Sequence, residues 1–300
     1  MMLKMSATVS ETVERHAAFL AECGVESPRL QCELLLAEVL KMPRLNLYLE
    51  ANRSLAPEVS NQVEGLVRRR ANREPLQHIL GTTSFCGLEI AVRRNVFVPR
   101  PETELLAERA LEVLRGFRRT EPIRVLDFGT GTGCMPIFLA ANFPAAEFFA
   151  LDQSAAALDL ARVNSSTHRV SDRIQFILGD SVAALPQQFR AHLVVSNPPY
   201  IPAGEIPQLE PEVRDFDPIA ALDGGADGLD CYRQLADSLP GILAPQGCWL
   251  AEFGDGQADS LRDLLETRGW KVEQVWPDYS GAARMFHARP AAAPPRPTHG

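Results

Sequence analysis

From Ile123 onward, short apolar runs alternate with stretches of helical periodicity, and this alternation limits the possible folds more than any other feature. The predicted strands are residues 123–128, 146–151, 173–178, 192–196, 247–253, 271–276 and 283–288, and the main helices between them are about 134–143, 154–164, 229–240 and 256–268. Such a pattern is typical of a doubly wound α/β domain, whose mostly parallel sheet binds ligands at the carboxyl ends of its strands.

The predicted strand at 192–196 is followed by Asn197-Pro198-Pro199-Tyr200. Two consecutive prolines cannot extend a central strand, because neither has a backbone N–H to donate and each has a fixed φ. We therefore predict a rigid corner that holds the Asn197 side chain and nearby carbonyl groups at the ligand-binding edge. A plain turn that ends a strand is the alternative interpretation of the same four residues.

This corner suits a planar –NH₂ group. The Asn197 side chain and the Pro198 carbonyl can each accept one N–H, while the ring of Tyr200 packs on the flat face. The nitrogen lone pair of an amide or aryl amine is delocalised. When two acceptors of the protein bind both N–H groups, they direct this lone pair toward an electrophile. A methylated amide nitrogen loses its proton readily, so no strong base is needed. We expect catalysis by positioning, without a protein nucleophile.

A glycine-rich loop, Gly129-Thr130-Gly131-Thr132-Gly133, follows the first strand of the alternation and precedes a helix. Sites for NAD, FAD and S-adenosyl-methionine all use such a loop. Asp152 follows the second strand, where a carboxylate can accept both hydroxyl groups of a ribose. Asp180 follows the third strand, where an adenine would lie, although helix capping is an equal alternative for this residue. The sequence contains no P-loop, so a nucleoside triphosphate is disfavoured.

Residues 1–80 are predicted to form a small helical bundle, because helix-start signals occur near Ser10, Ser27-Pro28 and Pro57. A β-hairpin linker is expected at 81–100, with its strands between Phe85 and Val98 and its turn near Asn95.

The rest of the chain divides into the α/β domain and a tail. Residues 101–289 are assigned to the α/β domain, and residues 201–228 within it are expected to be an irregular insertion that closes over a substrate. Residues 290–300 are rich in proline and alanine, so this tail is predicted to be disordered.

Charge and cysteine usage limit the functional class. A net charge of −8 argues against a protein that wraps nucleic acid non-specifically. The six cysteines are scattered without a C-x-x-C pair, so we expect neither a zinc site nor a disulfide framework, and a cytoplasmic location. No signal-peptide pattern and no membrane-spanning apolar stretch is predicted.

Several motifs together resemble the HemK/PrmC family of S-adenosyl-methionine-dependent methyltransferases. They are Arg73-Glu-Pro-Leu-Gln, Val98-Pro-Arg-Pro-Glu-Thr-Glu104, the glycine-rich loop, Asn197-Pro-Pro-Tyr-Ile201 and Ala221-Leu-Asp-Gly-Gly-Ala-Asp-Gly-Leu229. The resemblance extends from the helical region to about Arg289. It implies a helical N-terminal domain, a hairpin linker and a class I (Rossmann-like) α/β methyltransferase domain of seven strands, the last of them antiparallel.

The resemblance also implies a reaction. Members of the HemK/PrmC family use S-adenosyl-L-methionine to methylate the side-chain amide nitrogen of the glutamine in the Gly-Gly-Gln motif of class I peptide chain release factors. Carried over by residue, Gly129, Thr130, Gly131, Thr132, Gly133 and Asp152 would hold the cofactor, Asp180 or Ser181 would border its adenine, and Asn197, Pro198, Pro199 and Tyr200 would hold the glutamine amide, with Asn197 also beside the cofactor. No metal, membrane or direct nucleic-acid partner is implied.

Two related functions remain as alternatives. Relatives that methylate a glutamine of a ribosomal protein usually lack the Arg-Pro-Glu-Thr-Glu run that begins here at Arg100. An adenine-N6 nucleic-acid methyltransferase would use the same corner for an exocyclic –NH₂ group, but the charge of −8 fits it poorly. Three positions depart from the family pattern: His78 replaces a usual Tyr, Asp217-Pro218 replaces Glu-Pro, and Ser181 stands where some relatives have an aromatic residue.

Overall fold

A computed structural model describes residues 7–117 and 122–291. These residues form two compact units. The first comprises residues 7–82 together with Glu210–Phe216, and the second comprises the other described residues. Most of the predicted disordered tail, residues 292–300, lies outside the described residues, whereas Pro290 ends the last strand.

The first unit is a helical bundle. Its helices are α1 (Val9–Glu22), α2 (Pro28–Leu40), α3 (Asn46–Leu49), α4 (Pro57–Ala71) and α5 (Leu76–Leu80). The cap of α1 is Thr8 rather than the predicted Ser10, because Thr8 and Glu11 form a capping box. Prolines at the starts of α2 and α4 supply the helical φ, and each has no N–H of its own that would need a partner. Apolar side chains of α1, α2 and α4 bury a common core. The predicted helices are confirmed, but the short α3 and α5 were not predicted.

The hairpin lies earlier in the chain than the sequence predicts. Strands β1 (Thr82–Phe85) and β2 (Leu88–Ala91) pair across a two-residue turn, Cys86-Gly87. Both turn residues have positive φ, 47° and 77°, as in the type I′ turn that matches the twist of paired strands. The prediction of strands between Phe85 and Val98 is therefore wrong in position. Asn95 does adopt a left-handed φ of 65°, but it does so in the loop after the hairpin.

The second unit contains a seven-stranded sheet of order β5-β4-β3-β6-β7-β9-β8. Its strands are β3 (Ile123–Phe128), β4 (Ala146–Asp152), β5 (Ile174–Leu178), β6 (Ala191–Ser196), β7 (Leu243–Glu252), β8 (Trp270–Pro277) and β9 (Ala283–Pro290). Its helices are α6 (Pro101–Gly116), α7 (Cys134–Asn142), α8 (Ala155–Thr167), α10 (Asp230–Ser238) and α11 (Ala258–Thr267). Strands β3 to β7 pair in parallel, while β9 is antiparallel to both β7 and β8. The predicted α/β class and antiparallel end are confirmed.

The strand order places β3 and β6 side by side at the centre of the sheet. After β3 the chain moves outward to β4 and β5, and it then returns to β6 on the other side of β3. This reversal of strand order is a topological switch point, the usual ligand site of open α/β sheets. Because Phe128 is in register with Ser196, the loops that follow the two strands begin side by side.

The insertion after β6 is divided between the two units. Its middle, Glu210–Phe216, belongs to the helical unit and contains the short helix α9 (Pro211–Arg214). There Glu212 Oε1 accepts from Arg70 Nη2 at 2.5 Å and from Arg73 Nε at 2.7 Å. The Arg70 side chain is only 5% exposed, and a buried guanidinium requires such a charged partner. The helical unit therefore holds part of the segment that follows the Asn-Pro-Pro-Tyr corner.

Cysteine, metal and membrane features are limited. All six cysteines are free thiols, and burial raises the pKa of the most enclosed ones, such as Cys134, to about 12, so they are poor nucleophiles at neutral pH. No group of His, Cys, Asp or Glu within residues 7–117 and 122–291 is arranged to hold a metal ion. No described helix has the length and apolar composition that crossing a bilayer requires.

Candidate active site

The glycine-rich loop between β3 and α7 has the backbone that its sequence requires. Gly129, Gly131 and Gly133 have φ of 78°, 53° and 77°, a region in which a side chain is strained. A Cβ on Gly133 would lie 2.8 Å from a methyl group of α8, so this glycine allows the loop and helix to pack. A Cβ on Gly129 or Gly131 would meet nothing within 4 Å. Thr130 and Thr132 are buried, so the loop presents open space over its glycines.

Asn164 on α8 ties this loop to the hairpin. Its Nδ2 donates to the carbonyl of Thr132 at 2.9 Å and to that of Ala91 at 3.1 Å. Its Oδ1 accepts the N–H of Ala91 at 2.9 Å. Because Asn164 is 1% exposed, all of these bonds form in a water-poor environment. One amide therefore fixes the end of β2 and the glycine-rich loop together.

Asp152, at the end of β4, lies next to the same loop. Its Oδ2 accepts the N–H of Gly131 and its Oδ1 accepts that of Ser154, both at 2.8 Å. Burial raises the pKa of this carboxyl, although the two N–H groups oppose the shift. A carboxylate has about four lone-pair positions, so it can still accept hydroxyl donors. The structure brings Asp152 to the loop as the sequence predicts, and its contact with a ribose stays a prediction.

Asp127, near the end of β3, was not among the predicted site residues. It is 3% exposed, and its Oδ2 has no hydrogen-bond partner among the described residues. Burial raises its pKa to about 7, the side chain of Thr130 opposes this rise, and the charge of Asp152 adds a smaller increase. A buried carboxyl oxygen without a partner beside an open loop fits a ligand that brings its own donor, such as an ammonium group. The available signal was a single acidic residue in the otherwise apolar end of a central strand.

Asp180 and Ser181 follow β5, two strands away from β3. Asp180 is exposed, and its main-chain carbonyl accepts from Gln234 Nε2 at 3.3 Å. Ser181 is half-buried and begins a short 3₁₀ turn. The N–H of Gly179 donates to the Asp152 carbonyl at 3.0 Å, so this strand end lies beside Asp152. The two residues stand at the expected strand end, and their contact with an adenine stays a prediction.

The Asn197-Pro198-Pro199-Tyr200 corner leaves β6 at the switch point. Neither the Asn197 Oδ1 nor the Pro198 carbonyl accepts a hydrogen bond from any described residue. Both acceptors that the sequence predicts therefore have lone pairs that no described residue uses. Burial raises the pKa of the Tyr200 hydroxyl above its usual range, so this group stays protonated and donates to Glu252 Oε1 at 3.1 Å.

Two residues outside the predicted site complete a hydrogen-bonded chain behind Asn197. The Asn197 Nδ2 donates to Thr103 Oγ1 at 3.0 Å, and the Thr103 hydroxyl donates to Glu252 Oε2 at 2.8 Å. Thr103 is 4% exposed and Glu252 is 1% exposed. Glu252 ends β7, whose register with β6 sets Ala251 beside Ser196 and so brings Glu252 beside Asn197. That pairing could not be read from the sequence.

The segment from Ala221 to Leu229 holds the backbone of the corner. Ile201 N–H donates to the Leu222 carbonyl at 3.0 Å, which extends the chain after Tyr200 along this segment. A Cβ on Gly228 would lie 2.3 Å from the Tyr200 carbonyl oxygen, and Gly228 has a φ of 78°. Only glycine meets both demands. This motif therefore supports the backbone of the corner.

Comparisons with known proteins agree with this geometry. Two family models match the chain, the PrmC N-terminal domain over residues 11–81 and the methyltransferase small domain over residues 104–208. The chain is 41% identical over 282 residues to the release factor glutamine methyltransferase of Geobacter sulfurreducens, a match covering 94% of this chain and 96% of that protein. It is 41% identical over 285 residues to the protein of the same name from Rhodospirillum rubrum, covering 95% and 86%.

A solved structure supports the fold alone. The crystal structure of a methyltransferase from Pyrococcus furiosus matches with a TM-score of 0.52 at 16% identity, covering 75% of this chain and 98% of that chain. The comparisons thus confirm the resemblance read from the motifs, and with it a methyltransferase that uses S-adenosyl-L-methionine. The chain belongs to the release factor glutamine methyltransferase family.

Proposed function

We propose that this protein methylates the side-chain amide nitrogen of the glutamine in the Gly-Gly-Gln motif of class I peptide chain release factors. The observation that carries the proposal is the pair of unoccupied acceptors, Asn197 Oδ1 and the Pro198 carbonyl, at the switch point beside an open glycine-rich loop. Two acceptors at a rigid corner match the two hydrogens of a primary amide.

The residues at the strand ends fit S-adenosyl-L-methionine. Asp152 has remaining lone pairs for the ribose hydroxyl groups, and the unpartnered oxygen of Asp127 suits the ammonium of the methionine part. The loop from Gly129 to Gly133 offers space over its backbone, and Asp180 or Ser181 borders the adenine. When bound, the cofactor supplies an electrophilic methyl group on a sulfonium sulfur, which keeps the bonding electron pair when the methyl group moves to the amide nitrogen.

The corner acts by orienting the glutamine amide. Asn197 Oδ1 and the Pro198 carbonyl each accept one N–H, while Pro199 and the Tyr200 ring limit the position of the flat group. Positive charge develops on the nitrogen as it reacts, so both hydrogen bonds strengthen in the transition state. The methylated nitrogen then releases one proton to water. No side chain is required as a strong base.

Selection of the protein substrate requires contacts beyond the corner, because a glutamine side chain alone is small and flexible. The helical N-terminal unit is a surface of sufficient size, and we assign to it the binding of the release factor body. We further propose that the enzyme acts in the cytoplasm on a protein substrate, with no direct nucleic-acid partner.

One experiment tests the proposal against its alternatives. The full chain is incubated with methyl-labelled S-adenosyl-methionine and, separately, with a class I release factor, a large ribosomal subunit or DNA. We expect label in the release factor, and loss of that label when the motif glutamine is replaced by alanine. Label in a ribosomal protein or in adenine, with none in the release factor, would overturn the proposal.

A further inference from the structure

The orientation of the Asn197 amide depends on groups that do not touch the substrate. An amide can present either its oxygen or its –NH₂ group, and the two are nearly isosteric. Only the oxygen can accept an N–H of a glutamine amide. Presenting the –NH₂ group would instead favour an acceptor, such as a carboxylate. The fold must therefore contain something that fixes the direction of this side chain.

The hydrogen-bonded chain behind Asn197 has a direction of its own. An ionised Glu252 can only accept, so the hydroxyl groups of Thr103 and Tyr200 must both donate to it. The single hydroxyl proton of Thr103 is then used, and only a lone pair of its oxygen faces Asn197. Asn197 must consequently turn its Nδ2 toward Thr103, as observed at 3.0 Å. Its Oδ1 is left facing away from Thr103, without a partner among the described residues.

We infer that Thr103 and Glu252 are positioning residues that fix the Asn197 amide with its oxygen toward the substrate and so select an –NH₂ group. This inference rests on the proposed function and adds the groups that set its specificity. Thr103 acts through Asn197, and Glu252 acts through Thr103. Tyr200 is held by the other oxygen of the same carboxylate, so one buried acid aligns both side chains of the corner.

Protonation of Glu252 would remove the direction of the chain. A protonated carboxyl can donate, which frees the Thr103 hydroxyl to donate to Asn197 Oδ1 and turns the amide around. Burial raises the pKa of Glu252 to about 7, and the nearby Glu102 of α6 adds to the rise. Thr103, Tyr200 and the Arg284 guanidinium on β9 oppose it.

Tyr232 of α10 also faces this residue, but its hydroxyl donates to the main-chain carbonyl of Glu252 at 2.6 Å. It therefore leaves both carboxyl oxygens to Thr103 and Tyr200. The activity of the enzyme should accordingly rise with pH through the range in which Glu252 loses its proton.

The first test compares Thr103→Val with Thr103→Ser. Valine keeps the shape but has no hydroxyl group, whereas serine keeps the hydroxyl group. With an intact release factor and saturating cofactor, we expect Thr103→Val to lower kcat by at least about tenfold, with KM and the cofactor Kd changed by less than about threefold. Thr103→Ser should restore most of the kcat. The contact strengthens in the transition state, so the loss belongs in kcat.

Thr12→Val is the matched control for a buried threonine. Thr12 on α1 is 1% exposed and its Oγ1 has no partner among the described residues. We expect wild-type kcat, because the Thr12 side chain is buried inside the helical unit and does not reach its surface. The melting temperature should equal or exceed that of the wild type, because valine removes a buried hydroxyl group without a partner. Wild-type kcat in a folded Thr103→Val variant would overturn the inference, because the hydroxyl group would then not be needed. Equal losses of kcat in Thr103→Val and Thr103→Ser would also overturn it, because they would indicate a packing effect.

The second test does not depend on the stability of the valine variant. The kcat of the wild type is measured from pH 6 to 9 beside that of Glu252→Gln, which cannot titrate at this position. We expect an acid limb near the Glu252 pKa of about 7 in the wild type, and a lower, flat profile in the variant. The same acid limb in both proteins would overturn the inference. Failure of the wild type to methylate any release factor would instead overturn the proposed function.

Discussion

Replacement of Asp152 by asparagine would separate the two roles that the structure gives this side chain. The wild-type carboxylate accepts the N–H groups of Gly131 and Ser154 at 2.8 Å and retains lone pairs for the ribose. A carboxamide of the same size has one oxygen, so its –NH₂ group must face one of those two N–H groups or the ribose. We expect Asp152→Asn to weaken cofactor binding although the substitution is nearly isosteric, and Asp152→Ala to weaken it further.

The expected loss of cofactor affinity follows from the negative charge of the Asp152 carboxylate. A hydrogen bond to a charged group contributes about 1.5–3 kcal/mol, so loss of one such contact predicts a rise in Kd of roughly 10- to 150-fold. The free energy of unfolding should change less. An N–H left without a partner destabilises the fold, but the carboxylate charge is itself unfavourable in this buried position, as its raised pKa indicates. The two effects on stability therefore oppose each other.

Calorimetric titration with S-adenosyl-methionine, and separately with its demethylated product, measures this Kd. Asp159→Asn is the matched control, because the Asp159 side chain on α8 is 72% exposed and forms a surface ion pair with Arg162. It should bind cofactor like the wild type. A Kd for Asp152→Asn within about threefold of the wild-type value would show that the ribose contact lies elsewhere.

Three other outcomes follow from the same geometry. Asn197→Ala should keep the fold and lower the methylation rate on the order of 10²–10³-fold, and near-normal turnover of labelled methyl groups would remove the central argument. The pKa of Asp127 in the folded state is raised to about 7, so this residue stabilises the fold at acid pH and the contribution is lost as pH rises through 7. The melting temperature of Asp127→Asn should therefore fall less between pH 5 and 8 than that of the wild type. An equal fall in both proteins would contradict the raised pKa of Asp127. An intact release factor should have a much higher kcat/KM than a short Gly-Gly-Gln peptide, and deletion of residues 1–72 should lower the former while sparing cofactor binding. That deletion also removes Arg70, which binds Glu212 of the insertion, so Glu212→Gln is the control for the loss of this contact alone. Equal kcat/KM of the truncated and full chains would assign the N-terminal unit another role.

Local chemistry made much of the fold predictable from the sequence. The apolar runs of β3 and β6 are buried strands, and the glycines and prolines that follow them end those strands where expected. The hairpin was misplaced because asparagine is a common turn residue, and Asn95 does adopt a left-handed φ, although in a loop. The actual turn at Cys86-Gly87 begins with a cysteine, a residue type that seldom indicates a turn. Turn positions depend on the pairing of strands, which local residue preferences do not specify.

The chain behind Asn197 was beyond prediction for a related reason. A glutamate at the end of a strand usually indicates a solvated charge, and only the neighbouring positions of β6 and β7 bring Glu252 next to the corner. Thr103 was visible within a motif, but its partners come from two other strand ends. The positions of Gly129 to Gly133 and Asp152 were easier to anticipate, since they depend on the order of consecutive strands.

The bonds of Asn164 give the protein an internal reporter. The N–H of Ala91 exchanges with solvent deuterium only when its bond to Asn164 opens, and the same amide also holds the Thr132 carbonyl in the glycine-rich loop. A ligand that stiffens the loop should therefore slow exchange at Ala91, in a hairpin outside the proposed set of ligand contacts. Changes at the hairpin should in turn loosen the loop. Hydrogen exchange at this one amide thus reads the occupancy of the cofactor site from a distance.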